Sequence, residues 1–403
     1  MNINTDILLE TNVGDVLVGF LTIVFCAFFY RHHRLRDRRF NTVLALFILE
    51  HITFTLIYYL YSLHNIADAT AYYERGLVYS IDMGYTGTSV VYLIVHILTS
   101  LLGLKFFALY WPFSLWGLMG ITWLFKICIS LNEGRWSRWF WLFLLPNMHY
   151  WSVAIGKDSI AFTGVVAVIY LVYYKRGFLK MAMPLILLFF IRPHILLFGL
   201  VAYFATLILS SSKGNVTRKI FLSAIVATIL ILAAPFLSTY IGTEDGQGLS
   251  DRLIEMESAT ASYYGNTGSD INLQGQNIVV KWVSFMFRPF IFEAHNITSA
   301  MASLENSIWL VLFFLVAYRF KSCLTSLKNH HSMKEFLWFA FYGFWVSSLF
   351  LSYLIYNLGL AQREKNNFFP YFMILLIIVL AKSASNKKTL HNHTSYPLKP
   401  TSL

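Results

Sequence analysis

Hydrophobic positions in this chain come in long blocks, and the polar punctuation between the blocks alternates in character. A first apolar run at 16–30 ends in Arg31, His32, His33, Arg34, Arg36, Arg38 and Arg39. A second at 42–63 ends in a loop that carries Asp68, Tyr72, Tyr73, Glu74, Arg75 and Asp82. Runs of roughly 16–24 apolar residues are long enough to cross a hydrocarbon core about 30 Å thick. Backbone in lipid must satisfy its own hydrogen bonds, so these runs are helices. The stretch 88–130 is too long for one crossing; a re-entrant or interfacial helix at 88–103 followed by a span at 106–129 fits the charges around it.

From there the chain reads as spans at 139–148, 160–174, 181–191, 195–209, 220–240, 308–318, 336–356 and 368–380. Lys and Arg clusters mark the cytoplasmic ends. The pattern predicts an all-α polytopic integral membrane protein with about eleven transmembrane helices, its N-terminus outside and its C-terminus inside. Residues 1–382 form a single transmembrane domain with extracytoplasmic loops at 64–87 and 241–299, and 383–403 form a disordered cytoplasmic tail.

Composition agrees with the pattern. Only 13% of the 403 residues are charged and 57% are hydrophobic, with a mean hydropathy of +0.59. A soluble domain carries about 25% charge. The net charge of +11 sits in short clusters between apolar runs, which argues for membrane topology and against nucleic acid. The acidic start (Asp6, Glu10, Asp15) lacks the cationic segment of a cleavable leader. Cys26, Cys128 and Cys323 lie in apolar stretches without His or Cys at ligand spacing, so neither a disulfide framework nor a metal site is predicted. No phosphate-binding loop, zinc signature or nucleotide motif appears, and no cofactor is expected.

A second set of polar residues is not explained by topology, and the threading brings it to the outer ends of spans. It comprises Asp68, Tyr72 and Tyr73; His149, Trp151, Lys157 and Asp158; Arg192 and His194; Arg288 and Glu293; and Arg363, Glu364 and Lys365. Ionisable groups at membrane depth cost about 2.5–3.5 kcal/mol each on insertion scales, so they tend to line a cavity or substrate path. Each has a structural alternative: Asp68 as a helix cap, Lys157-Asp158 as an interfacial anchor and helix-dipole acid, Arg192 as a snorkelling side chain, Arg363 and Lys365 as contacts to lipid headgroups, Trp151 as part of the interfacial aromatic belt. The functional alternative is a set of guanidinium groups for a polyanion such as a lipid pyrophosphate, a carboxylate base, and aromatic rings for sugars.

Asp68-x3-Tyr72-Tyr73, followed by Pro146-x4-Trp151-Ser152-x3-Gly156-Lys157-Asp158, resembles the polyprenyl-dependent membrane glycosyltransferases of the GT-C type. The blocks Phe287-Arg288-Pro289-Phe290 with Glu293-Ala294-His295-Asn296, Ser303-Leu304-Glu305-Asn306, and Leu360-x2-Arg363 before Phe369-Pro370 resemble bacterial polymerases of O-antigen, capsule or exopolysaccharide. The resemblance implies joining of undecaprenyl-pyrophosphate-linked oligosaccharides at the extracytoplasmic face of the inner membrane. It implies neither metal nor nucleotide, and a flippase and a chain-length regulator as partners. Arg192, Arg288, Arg363 and Lys157 would then hold the pyrophosphate, Asp68 or Asp158 would act on the acceptor hydroxyl, and Tyr72, Tyr73, Trp151, His194, Glu293 and Lys365 would contact substrate. The arginine-x10-glycine pattern of some O-antigen polymerases is not matched at Arg192, Arg252, Arg288 or Arg363, so their two-loop arginine mechanism is not carried over. A single-sugar transferase using a polyprenyl-phosphate donor, and a flippase of lipid-linked sugars, are the rival readings; a flippase requires ionisable groups in mid-span, of which Glu50, His51 and His96 are the few.

Overall fold

The computed structural model describes residues 8–65, 67–83, 87–209, 275–327, 330–355 and 357–381, with isolated positions at 220–228, 271 and 273. The expected span at 220–240, the acidic part of the large loop and the tail at 383–403 lie outside the described residues. The described chain is all helical, without a β-strand, and divides into two compact units, the first ending at Leu196 and the second beginning at Leu197.

In the first unit, α1 is Val13–His33, α2 Arg38–His64, α3 Asp68–Leu77, α4 Thr88–Leu102 and α5 Phe106–Leu131. A 3₁₀ segment Arg138–Leu144 leads to α6 (Pro146–Ser152), then α7 (Lys157–Tyr174) and α8 (Phe178–Ile191); α9 (Pro193–Leu209) starts here and continues into the second unit. Helix α1 opens on a capping box in which Asn12 and Asp15 satisfy each other's backbone N–H groups. Contacts fix the directions. Thr55 and Ser62 of α2 bond Ser114 and Tyr110 of α5, while Phe47 stacks edge-on to Phe125, so α2 and α5 are antiparallel. Thr163 donates to the Trp116 carbonyl and Ser130 pairs with Tyr173, so α5 and α7 run the same way.

The chain between two parallel helices must return, and it does so without one continuous helix. The 3₁₀ segment and α6 climb beside α2 through a ladder of ring contacts: Phe40–Phe140, Phe47–Phe143, His51–His149 and Tyr58–Tyr150, with centroids 5.1 to 6.2 Å apart. Gly117 of α5 makes the approach possible, because a Cβ there would fall 2.2 Å from the Ser152 carbonyl oxygen.

We call the end of this unit away from the Arg31–Arg39 cluster its distal end. Helix α4 has both ends there. The Gly87 N–H donates to the Phe190 carbonyl at the top of α8, and the Gly103 carbonyl accepts from Asn12 at the start of α1. It therefore lies across the end of the bundle and does not cross it.

In the second unit, α10 is Ile278–Phe287, α11 Ile297–Ser326, α12 His331–Leu354, α13 Leu358–Glu364 and α14 Phe369–Leu376. The Lys365–Asn367 turn, a 3₁₀ turn, separates α13 from α14, and a π-helical turn, Ile377–Ala381, closes the described chain. Aromatic packing joins the helices: Trp282 stacks on Trp345, while Trp309 meets Phe369 and Phe344 meets Phe372 at a tilt. Such pairs contribute about 0.5–1.5 kcal/mol each beyond their buried area.

Among the described residues six helices are long and apolar enough to cross a membrane: α1, α2, α5, α7, α11 and α12. The pairs α8 with α9 and α13 with α14 pass only together, each as a broken span or a re-entrant loop, for six to eight candidates in all. The rest of the eleven expected crossings falls on the broken 139–148 stretch, on the halves of the α8–α9 pair and on 220–240. The protein is a helical membrane protein.

Candidate functional site

At the distal end of the first unit, four separated stretches of sequence meet. Asp158, in the first turn of α7, accepts a hydrogen bond from Arg192 Nη2 at 2.8 Å, and the two side chains are 5% and 4% exposed. Arg192 ends α8 because Pro193 follows it, and α8 runs antiparallel to α7, which delivers the guanidinium to the start of α7. Lys157, next along, donates to Thr88 of α4 at 3.2 Å. Gly156 precedes it with φ 154°, in a region almost reserved for glycine, and its α-carbon backs onto the Tyr72 ring, where a Cβ would sit 3.0 Å away. His194 lies two residues beyond Arg192, at the start of α9.

The remaining residues predicted in this unit fall around that junction. Asp68 is exposed in the first turn of α3, where the helix dipole favours a carboxylate; the N-cap is Ala67, so Asp68 is not itself the cap. Tyr72 and Tyr73 are 4% and 1% exposed. Tyr73 packs on Phe106 and Tyr72 on Tyr92 and Gly156, so the pair forms core and presents no open face for stacking a sugar. Trp151 is half-buried; its Nε1 donates to Asn147 and its ring meets Tyr58 and Tyr150.

A third polar group occupies the middle of the same unit. His149 is fully buried, with Nδ1 3.2 Å from His51 Nδ1 and Nε2 2.7 Å from the Phe143 carbonyl. His51 Nδ1 also lies 3.1 Å from the Phe47 carbonyl, one turn back along α2. Glu50 Oε2 lies 2.9 Å from the same Nε2 but off the line of its hydrogen bond. Glu50 and His51 stand halfway along α2, at membrane depth, and His149 is therefore an internal residue where the sequence pattern places it at a span's outer end.

In the second unit the predicted blocks converge on the turn after α10. Arg288 and Glu293 form a two-bond ion pair, Nε to Oε2 at 3.0 Å and Nη2 to Oε1 at 2.6 Å, and the Phe290 N–H also donates to Glu293. Burial pushes the Glu293 carboxyl up, but these hydrogen bonds outweigh it and hold it below the usual glutamate range. The Arg288 carbonyl accepts from Asn306 of α11 at 2.8 Å and from Gln362 of α13 at 2.9 Å. Lys365, fully buried, donates to Asn306 Oδ1 at 2.7 Å, and Glu305 beside it accepts from Trp309. Asn367 donates to Glu364, and Arg363 lies half-buried on α13.

Asn306, Gln362, Asn366 and Thr88 belong to these clusters without standing out in the sequence. Their signal is an uncharged polar group inside or beside an apolar run, too common a feature to stand out. Among the described residues no group of three or more His, Cys, Asp or Glu side chains is placed to hold a metal ion. Comparison with protein-family models, with curated proteins and with solved structures finds no match for this chain.

Proposed function

We propose that this protein polymerises lipid-linked oligosaccharide repeat units at the extracytoplasmic face of a bacterial inner membrane, with its N-terminus outside and C-terminus inside. In the reaction an acceptor hydroxyl oxygen attacks the anomeric carbon of a donor glycan and the bond to undecaprenyl pyrophosphate breaks. The hydroxyl proton passes to a carboxylate.

The observation that carries this reading is the distal junction of the first unit. A buried Asp158–Arg192 pair, with Lys157 beside it, combines a carboxylate and two cations where α7 begins and α8 ends. Arg192 and Lys157 there supply charge that stabilises a pyrophosphate leaving group, and in the second unit, taken by itself, Arg288 and Arg363 offer charge of the same kind. Asp158, or Asp68 on α3, is the acceptor's base. Arg288 is held by Glu293 in a half-exposed pair, so a pyrophosphate can take it over by exchanging one set of oxygen acceptors for another.

The test is the surface-glycan ladder of a deletion strain complemented with the wild type or with Arg288→Ala. Collapse to a single repeat unit in the deletion and the variant, restored by the wild type, is the expected result. A ladder of full length with Arg288→Ala plus Arg363→Ala together would sink the reading. A ladder that persists with altered spacing would point instead to transfer of single sugars from a polyprenyl phosphate.

One observation favours a second reading. Glu50, His51 and His149 place ionisable groups inside the bundle at mid-depth, which a flippase of lipid-linked sugars requires. In that case the deletion strain loses surface glycan altogether and accumulates lipid-linked units inside.

A further inference from the structure

The break between α13 and α14 holds a side chain whose hydrogen-bonding groups are unmet. The helical segments 358–367 and 369–381 are bent by 62° at Phe368, directly after the Lys365–Asn367 turn. Asn366, in its middle, is 2% exposed, and among the described residues neither its Oδ1 nor its Nδ2 has a hydrogen-bond partner. Its neighbours differ: Lys365 is bonded to Asn306, Asn367 to Glu364, and Gln362 to the Arg288 carbonyl. Because both atoms of the amide are unmet, the assignment of oxygen and nitrogen does not affect the conclusion. A buried amide without partners is destabilising, so a ligand that meets both of its atoms gains what the free protein lacks.

We infer that Asn366 is a sugar-recognition residue, whose carboxamide binds two adjacent hydroxyls of a pyranose ring in the lipid-linked glycan. This deepens the glycan reading above and rests on it. A carboxamide offers one acceptor and two donors side by side, and the matching ligand must donate at one atom and accept at the next. Vicinal hydroxyls do so. A pyrophosphate does not, since it would leave Oδ1 facing a further acceptor. Glu364 and Glu305, both buried on the same polar cluster, further disfavour an anion there. The site is thus assigned to the neutral part of the substrate, and Asn366 sets which sugar is accepted.

The inference separates from a structural role by a test in which stability and binding move in opposite directions. Full-length protein in detergent is unfolded thermally with and without the methyl glycosides of glucose, galactose, mannose and N-acetylglucosamine, and separately with inorganic pyrophosphate. Asn366→Leu, close in volume, removes the unmet amide and is expected to raise the Tm by a few degrees. At least one glycoside should raise the Tm of the wild type and have no effect on Asn366→Leu. Asn366→Ala guards against a misfolded leucine variant and should lose the same response, while any shift produced by pyrophosphate survives in both. A glycoside shift retained in either folded variant, as expected if the amide merely binds a trapped water, overturns the inference. So does the absence of any glycoside shift in the wild type. In both cases the ladder of the deletion strain still decides the broader reading independently.

Discussion

The molecule contains two arginine–carboxylate pairs of the same chemistry in opposite settings. Asp158–Arg192 is nearly inaccessible, with Nη2 2.8 Å from Oδ1, whereas Arg288–Glu293 leaves its side chains 26% and 22% exposed. A buried pair has already lost its hydration, so removing one partner strands a charge; a half-exposed pair lets water or a ligand take over. The first therefore behaves as a fixed part of the framework that also carries charge. The second behaves as an exchangeable grip. Truncation at Arg192 confounds folding with function, and truncation at Arg288 separates them.

The largest effect that tests this contrast is on stability. Asp158→Ala or Arg192→Ala should each destabilise the protein by about 3–5 kcal/mol, and the apolar pair Asp158→Leu with Arg192→Met should recover most of the loss. Thermal unfolding of the wild type and these three variants reads the contrast; equal small losses in the single variants would remove it. Next in size, Arg288→Ala should cost about 1 kcal/mol or less in the same assay while shortening the glycan ladder. A loss at Arg288 as large as that at Arg192 would mean that both pairs are framework.

The pH dependence sharpens the comparison further. Glu293 has a depressed folded pKa, so its contribution is present above the unfolded glutamate value and is lost as pH falls through the folded one. Acid titration of the Tm should therefore show a component below the usual glutamate range that vanishes in Glu293→Gln. The smallest effect is expected at Glu10–Lys105, where the Glu10 hydrogen bond raises the Lys105 pKa on an exposed surface. That contribution is present at neutral pH and fades as pH rises past the usual lysine range. Lys105→Ala should barely shift the Tm at any pH.

Much of the architecture was legible because lipid imposes a strong grammar. The clusters Arg31–Arg39 and Lys175–Arg176 bound α1, α2 and α7 within a few residues. Helix α11 was less so. Its apolar core suggests a start near 308, yet the helix begins at Ile297. The intervening Ser303 and Ser307 resemble a loop, but their hydroxyls bond carbonyls one turn back, at Ser299 and Ser303, and so travel inside the helix. At the site, the residue types were readable and their pairings only in part. Arg288 and Glu293 are five positions apart and locally joined, whereas Asp158 and Arg192 meet only because α7 and α8 fold back on each other. The packed fate of Tyr73 depends on Phe106, a partner that periodicity does not indicate.

The segment from Arg138 to Ser152 has a consequence of another kind. It covers its distance partly as 3₁₀ helix, which rises about 2.0 Å per residue against 1.5 Å in an α-helix, and so needs fewer residues than an α-helical crossing. Counting crossings is a parity problem: each one reverses the side on which the next loop emerges. Overlooking this one segment would invert the assigned side of every loop after it, Lys157 and Asp158 among them, while leaving each individual helix correctly identified.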